Sequence, residues 1–441
     1  MTSAYRKSLF AVLLCAAISV VWGSYGGHSK VAWLDFRAIY AGTRCLIHGH
    51  NPYSVTDLER EYSSEDGQRP SGPSWGTQSI TLYVNMPTAF IFLAPFAALP
   101  WVPAHILWML LTGCVFFGAL LLIWHTGARS SLDASTLLAC ILAANCELIF
   151  SGGNTGAIVV GFCVIAAWCL LSDRMVWLGV LCLGLSLAIK PHDSGFVWLY
   201  FVLAGGVYRK KAFQSLLVTA AVGAASILWL WHVAPHWLQD WRANLAAISM
   251  RGGINDPSPA SITGHIAPPV IDLQAAISVF LDHPWFYNAA TYLVCGALLL
   301  VWAAWTLRSR FSRPGAWFGI AAAAALTILI TYHRQWDAKL VMLAIVPCCR
   351  LWSERSMTGK IALLVTVTAV FFTADVPLVF FDTFYDTSHL TNTGIAGHLL
   401  TLFLLRPASI ALLGMAAFYL WIYLRSAEVP VKSVAESEVP A

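Results

Sequence analysis

The first candidate for chemistry is Asp35, an acidic residue inside an otherwise apolar stretch. The segment from about 32 to 48 contains no proline, and its pattern predicts a helix. On that helix Asp35 shares a face with Ile39 and Gly42, which leave space beside the carboxylate and little water around it. Such surroundings raise a carboxyl pKa and suit a general base. The alternative is an acid that only complements the dipole at the start of the helix, and the local pattern by itself favours that alternative.

Two short polar segments between apolar runs are further candidates. Asn154 ends a turn that contains two glycines, which allow the backbone to approach a ligand closely. Lys190 and His192 lie between two other apolar runs. A lysine at a membrane boundary commonly snorkels towards water, and a lipid phosphate would be a second reason for its position. His192 could bind substrate or pair with Asp193.

The densest group of polar residues near an apolar run is Tyr332–Lys339. Arg334 and Lys339 can neutralise a phosphate, and arginine can do so with two parallel hydrogen bonds. His333 could hold a hydroxyl or a phosphate group of a ligand. The alternative is an interfacial cap in which Asp337 only pairs with Arg334.

Asn85 begins a short apolar segment that ends at Pro100. The apolar part has about 13 residues, which is short for a membrane crossing. An apolar segment that does not cross must be covered by protein or line a cavity, so its polar start would face the same cavity as Asp35. An ordinary helix start is an equally good interpretation.

These candidates lie in a sequence that is too apolar for a soluble protein. Of 441 residues, 58% are hydrophobic and 11% are charged, against about 25% charged in ordinary soluble domains. The mean hydropathy is +0.69. These values exclude a soluble enzyme, a disordered chain and a disulfide-stapled module. They predict an all-α integral membrane protein, a polytopic bundle of about 12 transmembrane helices with interfacial or re-entrant helices in its outer loops.

The distribution of basic residues predicts the orientation of this bundle. The expected crossings are the apolar runs near 9–22, 104–124, 133–150, 155–172, 176–190, 194–208, 212–232, 285–306, 315–331, 338–351, 358–374 and 404–424. If 85–100 does not cross, the basic clusters of the short loops all lie on one side, which is then the cytoplasmic side. Both termini are then cytoplasmic, and all the candidate residues are extracytoplasmic.

We expect a single transmembrane domain over residues 1–426 with outer loops at 24–84 and 233–284, and a further outer segment at 375–403. Residues 427–441 are polar and predict a disordered cytoplasmic tail. The 11 cysteines fall almost entirely in apolar runs and show no zinc-like spacing, so neither a disulfide framework nor a metal is expected. The net charge of +4 gives no indication of a nucleic-acid partner.

Several motifs together resemble glycosyltransferase family 87, whose members are polyprenol-phosphate-mannose-dependent α-mannosyltransferases. They occur in the family's order between about 30 and 350, and they are Asp35-Phe36 followed by Tyr40, Gly49-His50-Asn51-Pro52-Tyr53, Asn85-Met86-Pro87, Leu93-Ala94-Pro95, Gly153-Asn154-Thr155-Gly156 and Lys190-Pro191. The resemblance implies the GT-C fold class. It also implies that Asp35 is the catalytic residue, because the family's catalytic carboxylate lies in the first extracytoplasmic loop.

The resemblance implies transfer of one hexose, mannose in this family, from a polyprenyl-phosphate donor to a lipid or glycan acceptor. A bacterial-type plasma membrane is the expected location. One base and an activated donor predict inversion. The expected partners are this donor, a glycolipid or glycan acceptor and membrane lipid, without nucleic acid, metal or other cofactor. The expected substrate-binding residues are Tyr40, Asn85, Asn154, Lys190, His192, His333, Arg334 and Asp337. Two other functions stay open, namely a lipid-linked glycan transporter or flippase and an oligosaccharide ligase of the same topology.

Overall fold

The computed structural model describes residues 2–26, 34–64, 81–261, 270–375 and 394–426. In these ranges the regular structure is helical, and no strand occurs. The first helices are α1 (Ser3–Gly26), α2 (Leu34–Ile47), α3 (Val55–Ser64), a 3₁₀ turn (Pro87–Ala89), α4 (Phe90–Ala97), α5 (Trp101–Ala128), α6 (Leu132–Ala144), α7 (Glu147–Gly152), α8 (Gly156–Ser172), α9 (Val176–Ile189), α10 (Pro191–Ala204), α11 (Gly206–Val233) and α12 (Trp237–Ser249). They are followed by α13 (Leu273–Ile277), α14 (Pro284–Arg308), α15 (Arg313–Ile330), α16 (Gln335–Ala338), a 3₁₀ helix (Lys339–Ala344), α17 (Ile345–Ser353), α18 (Met357–Phe372), α19 (Ile395–Leu405) and α20 (Pro407–Ser426).

Seven helical segments in the described residues are long and apolar enough to cross a membrane. They are α1, α5, α6 with α7, α11, α14, α15 and α20. Shorter apolar helices, among them α8, α9 and α18, add to this set. The predicted class, an all-α polytopic integral membrane protein, is therefore confirmed, whereas the number of crossings stays a prediction.

The centre of the bundle is formed by α15, of which 78% is buried. Its run of alanines at 321–325 is fully buried and allows neighbouring helices to approach closely. These neighbours are α10, α14 and α20. By contrast, only 17% of the equally apolar α11 is buried, so most of its surface is of the kind that faces lipid.

The short apolar segment near 85–100 forms an 11-residue helical stretch, Pro87–Ala97. At 1.5 Å per residue it is about 16 Å long, roughly half the thickness of the hydrocarbon core. It packs against α2, α5 and α11. Its length and packing support the prediction that this segment does not cross.

Two predicted crossings are interrupted, and one predicted loop contains a helix. The run 133–150 breaks between α6 and α7, and the run 338–351 begins as a 3₁₀ helix. The prediction of a loop over 375–403 is wrong at its end, because α19 begins at Ile395 and the next helix starts only at Pro407. A proline lacks the N–H that would continue a helix, and so a new helix starts there. The predicted tail 427–441 lies outside the described residues.

Candidate active site

Asp35 lies in the first turn of α2, where its carboxylate faces the turn between α7 and α8. Asn154 Nδ2 donates a hydrogen bond of 2.9 Å to Asp35 Oδ2. A Cβ added to Gly152 would lie 3.7 Å from the same oxygen, so this part of the turn runs close beside the carboxylate. The main-chain N–H of Gly156 donates to Asn154 Oδ1 at 2.8 Å. The amide of Asn154 is therefore held in the orientation that presents its NH₂ group to Asp35.

The turn itself is set by glycine and by a tryptophan of α5. Gly153 has a φ of 68°, in the left-handed region that favours glycine. Its carbonyl accepts a hydrogen bond of 2.9 Å from the buried indole N–H of Trp108. The position of Asn154 is thus fixed by the packing of α5 against α8.

The environment of Asp35 changes its acidity. Burial raises the pKa of its carboxyl above the ordinary value, and the hydrogen bond from Asn154 and the charges of Arg334 and Lys190 offset part of that rise. The carboxylate is therefore a stronger base than an exposed one, while nearby cations still favour its ionised form.

Lys190 lies at the junction of α9 and α10, where Pro191 is the first residue of the second helix. Its ammonium group forms an ion pair and hydrogen bond with Asp337 Oδ1. It also lies 3.6 Å from Asp193 Oδ2. Burial lowers the pKa of Lys190, but the two carboxylates outweigh this effect, and its pKa lies above the ordinary value.

Asp337 lies in the short helix α16 and caps it. Its Oδ2 accepts a hydrogen bond of 3.2 Å from the main-chain N–H of Arg334. Burial and then the charge of Asp193 raise the pKa of its carboxyl, although Lys190 works in the opposite direction. A Cβ on Gly156 would collide with Asp337 Oδ1 and lie 2.7 Å from a ring atom of Trp336. This glycine therefore allows α8 to approach α16.

The guanidinium of Arg334 is buried and is held in place by oxygen atoms from two parts of the chain. Its Nε donates to the Tyr332 hydroxyl at 2.7 Å, and its Nη2 donates to the Ile254 carbonyl at 2.6 Å. Only 1% of Arg334 is exposed. The loop between α12 and α13 is thus connected to the junction between α15 and α16.

Asp193, His192 and His333 meet beside Lys190. The Nε2 atoms of His333 and His192 lie 3.2 Å and 3.5 Å from Asp193 Oδ1. His333 and Asp193 are fully buried, whereas the side chain of His192 is 36% exposed. We call the charged and polar groups of these junctions the polar centre, which comprises Asp35, Asn154, Lys190, His192, Asp193, His333, Arg334 and Asp337.

The structure thus brings together seven of the nine predicted site residues, and it places Tyr40 and Asn85 elsewhere. The Tyr40 hydroxyl donates to the Leu99 carbonyl at 2.8 Å, and its ring packs edge-on against Trp101. The main-chain carbonyl of Asn85 accepts a hydrogen bond of 3.0 Å from Tyr53, within a separate aromatic cluster. The roles of Tyr40 and Asn85 in substrate binding stay predictions.

Asp193 is the member of the polar centre that the sequence indicated only as a partner for His192. A signal for a larger role exists in the spacing, because Asp193 follows Lys190 by three residues. On a helix start this spacing places both charges on one side. Lys339 shows the reverse case, because the sequence indicated a phosphate-binding role that its contacts do not support. Its ammonium donates to the Asn145 and Thr373 carbonyls and to Asp375.

Helical membrane spans define an integral membrane protein, and the buried polar centre at the junctions between helices is its candidate ligand site. The model of glycosyltransferase family 87 matches residues 83–331, more than half of the chain. The chain therefore belongs to this family and is a membrane glycosyltransferase. Its substrates include a sugar donor and an acceptor. No curated protein and no solved structure matches the chain significantly.

Proposed function

We propose that this glycosyltransferase moves a single hexose, mannose by its resemblance, from a polyprenyl-phosphate donor to a lipid or glycan acceptor at the extracytoplasmic face of the membrane. The observation that most supports the proposal is the position of Asp35. Its carboxylate is desolvated, oriented by Asn154 and close enough to Lys190 and Arg334 for their charges to affect its pKa. A carboxylate in these surroundings suits the removal of a proton from an acceptor hydroxyl.

In the proposed reaction the acceptor oxygen attacks the anomeric carbon of the donor while Asp35 takes the hydroxyl proton. The bond between the anomeric carbon and the phosphate oxygen breaks, and the polyprenyl phosphate leaves with the bonding electrons. Lys190 and Arg334 supply positive charge for this leaving group. A single displacement inverts the anomeric centre, so a β-linked donor gives an α-linked product without a second catalytic carboxylate.

The remaining members of the polar centre have positioning roles in this proposal. Asn154 orients the carboxylate of Asp35 through the 2.9 Å hydrogen bond. Asp337 orients the ammonium of Lys190 and begins the short helix α16. His192, which is 36% exposed, can reach a sugar hydroxyl or the donor phosphate, whereas His333 is buried against Asp193 beside Lys190.

The test is transfer by purified protein in lipid nanodiscs, supplied with radiolabelled polyprenyl-phosphate-mannose and a membrane lipid extract. We expect wild type to label an acceptor lipid or glycan with an α-linked hexose, and Asp35→Asn to lose this activity. Asp282→Asn is a matched control, because Asp282 forms a partly exposed pair with Arg251, and such pairs contribute little to stability.

The outcomes separate the parts of the proposal. Absence of transfer by wild type with any hexose donor would contradict the donor class. Unreduced transfer by Asp35→Asn would exclude Asp35 as the base. Movement of intact donor across sealed vesicles without a new glycosidic product would favour the flippase function instead.

A further inference from the structure

Two imidazole rings approach one carboxylate oxygen in the polar centre. His333 Nε2 and His192 Nε2 lie 3.2 Å and 3.5 Å from Asp193 Oδ1, and the three ligand atoms lie within 4.8 Å of one another. Neither contact meets the geometric criteria of a hydrogen bond. Among the described residues, both Asp193 Oδ1 and His333 Nε2 are buried without a hydrogen-bond partner. Buried polar atoms in this state are costly, and each requires an explanation.

The tautomer of His333 sharpens the problem. Its Nδ1 lies 2.8 Å from the Thr331 carbonyl oxygen, which can only accept. Nδ1 therefore carries a proton, and in the neutral ring Nε2 carries a lone pair. That lone pair faces a carboxylate, which is unfavourable unless a proton or a metal ion lies between the two atoms. A proton on His333 Nε2 would make its contact with Asp193 favourable, but it would not explain why His192 Nε2 approaches the same oxygen.

A metal ion satisfies all three groups at once. Zinc binds histidine nitrogen and carboxylate oxygen at about 2.0–2.2 Å, which places tetrahedral ligand atoms about 3.3 Å apart. The two separations that involve Asp193 Oδ1, 3.2 Å and 3.5 Å, are close to that value, and the two histidine nitrogens lie within 4.8 Å of each other. Metal-bound histidines also commonly donate their other ring N–H to a backbone carbonyl, as His333 does.

We propose that His192, Asp193 and His333 bind a divalent transition metal of the zinc class, with one coordination position left open. Asp193 and His333 are fully buried and pre-positioned, whereas His192 is 36% exposed and gives the ion a route of entry. Three protein ligands with an open position are typical of zinc sites that bind a substrate or water.

The charge of the polar centre indicates what the open position binds, and this step rests on the proposed function. The centre holds three carboxylates, those of Asp35, Asp193 and Asp337, against two cations, Lys190 and Arg334. With neutral histidines this leaves one negative charge, which would repel an anionic donor. A divalent ion reverses the sign, and its open position would bind an oxygen of the donor phosphate.

The experiment uses the full chain, purified through a histidine-free tag without chelators and placed in nanodiscs. Elemental analysis is expected to find about one zinc-class ion per chain, and cobalt(II) loading to give the visible absorption of a four-coordinate site. His192→Ala, a change at an exposed ligand that leaves the buried residues in place, is expected to lower zinc affinity by about tenfold or more. His283→Ala removes an exposed histidine outside the site and is expected to leave affinity unchanged.

Absence of bound metal in wild type together with no binding of added zinc would overturn the site and leave a protonated His333 as the explanation. Equal zinc affinity in wild type and His192→Ala would also overturn it. Binding is measured without donor, so a failure of sugar transfer by the metal-loaded protein would contradict the proposed function and not the metal site. Unchanged sugar transfer after removal of the metal would contradict the proposal that the metal binds the donor phosphate.

Discussion

Two lysines at helix junctions, Lys190 and Lys339, differ in the partners that surround their ammonium groups. Lys339 is 1% exposed and donates to the Asn145 carbonyl at 2.6 Å, to the Thr373 carbonyl at 3.2 Å and to Asp375 at 3.2 Å. The side chain of Lys190 is 13% exposed and faces two carboxylates, one of them 3.6 Å away.

The difference separates a structural lysine from one suited to a ligand. The three donors of Lys339 match three acceptors, and its charge matches one carboxylate, so nothing is left for a substrate. Its carbonyl partners lie where α6 breaks and α18 ends, two places where helical carbonyls lack internal partners. Lys190 instead faces two carboxylates and keeps some access to solvent. The set of partners therefore distinguishes the two sites better than burial does.

The largest effect on the transfer rate is expected for Asp35→Asn, which changes the polar centre and leaves Lys339 and its partners intact. Loss of a general base is expected to lower the transfer rate by about 10²–10⁴-fold. Thermal unfolding is expected at the same or a higher temperature, because an ionised buried carboxylate with a raised pKa costs folding free energy at neutral pH. Rate and unfolding measurements on the same sample check this, and a loss of activity matched by a loss of folded protein would contradict it.

The second largest effect is expected at the structural lysine. Lys339→Met leaves Asp375 buried without its ion-pair partner, and such changes lower the free energy of unfolding by about 3–5 kcal/mol. We expect the folded fraction to fall while transfer per folded molecule is retained. Chemical unfolding in detergent measures this, with Lys210→Met on an exposed lysine as the control. Full stability of Lys339→Met would remove the distinction between the two lysines.

Paired neutralisation compares the two sites directly. Lys339→Met/Asp375→Asn removes both charges, so stability and transfer are expected to recover towards the wild-type values. Lys190→Met/Asp337→Asn leaves the buried Asp193 without its ion-pair partner, so transfer is measured per folded molecule. It is expected to be about 10²-fold slower, because the change removes a cation from the leaving phosphate. If both double variants were equally active, Lys190 would have no special role.

The smallest expected effect is the dependence of transfer on pH. The pKa of Asp35 is raised from 3.8 by burial, so the acid limb of the rate profile should lie at a higher pH than for an exposed aspartate. Below that pKa the rate should fall by about tenfold for each pH unit. The raised pKa also means that folding loses stability as pH rises past the unfolded value, and Asp35→Asn should remove this dependence. Rates and unfolding temperatures across acidic pH measure both effects, and an unshifted acid limb would contradict the first.

The sequence was sufficient to predict the helical class and most members of the polar centre. Apolar runs of sufficient length specify helices in a membrane. Polar side chains at the ends of these runs need hydrogen-bond or ion-pair partners once they are buried. This reasoning singled out Asp35, Lys190 and Arg334, and the structure brings them together. Family membership rests on residues 83–331, so Asp35 and Arg334 lie outside the matched range and were found from their local surroundings and motifs.

The sequence could not distinguish Lys190 from Lys339, because the distinction depends on distant residues. Asn145, which accepts from Lys339, is 194 positions away. The break between α6 and α7 was missed, although Asn145 and Glu147 interrupt the apolar run there, and the carbonyl that the break leaves free is satisfied by Lys339 from a distant segment. The surroundings of α2 are also set by distant residues, because Phe36 and Tyr40 are buried and Phe36 stacks on Trp108 of α5.

The residues that bracket the polar centre lie at the ends of helices, and this makes helix length a determinant of activity. Asn154, Lys190 and Arg334 each follow directly from a helix or a turn between two helices. One residue inserted into α9 would rotate Lys190 by about 100° and move it by about 1.5 Å, away from Asp337. Active relatives of this chain should therefore exchange apolar residues within these helices freely while conserving their register, and insertions should accumulate only in the loops.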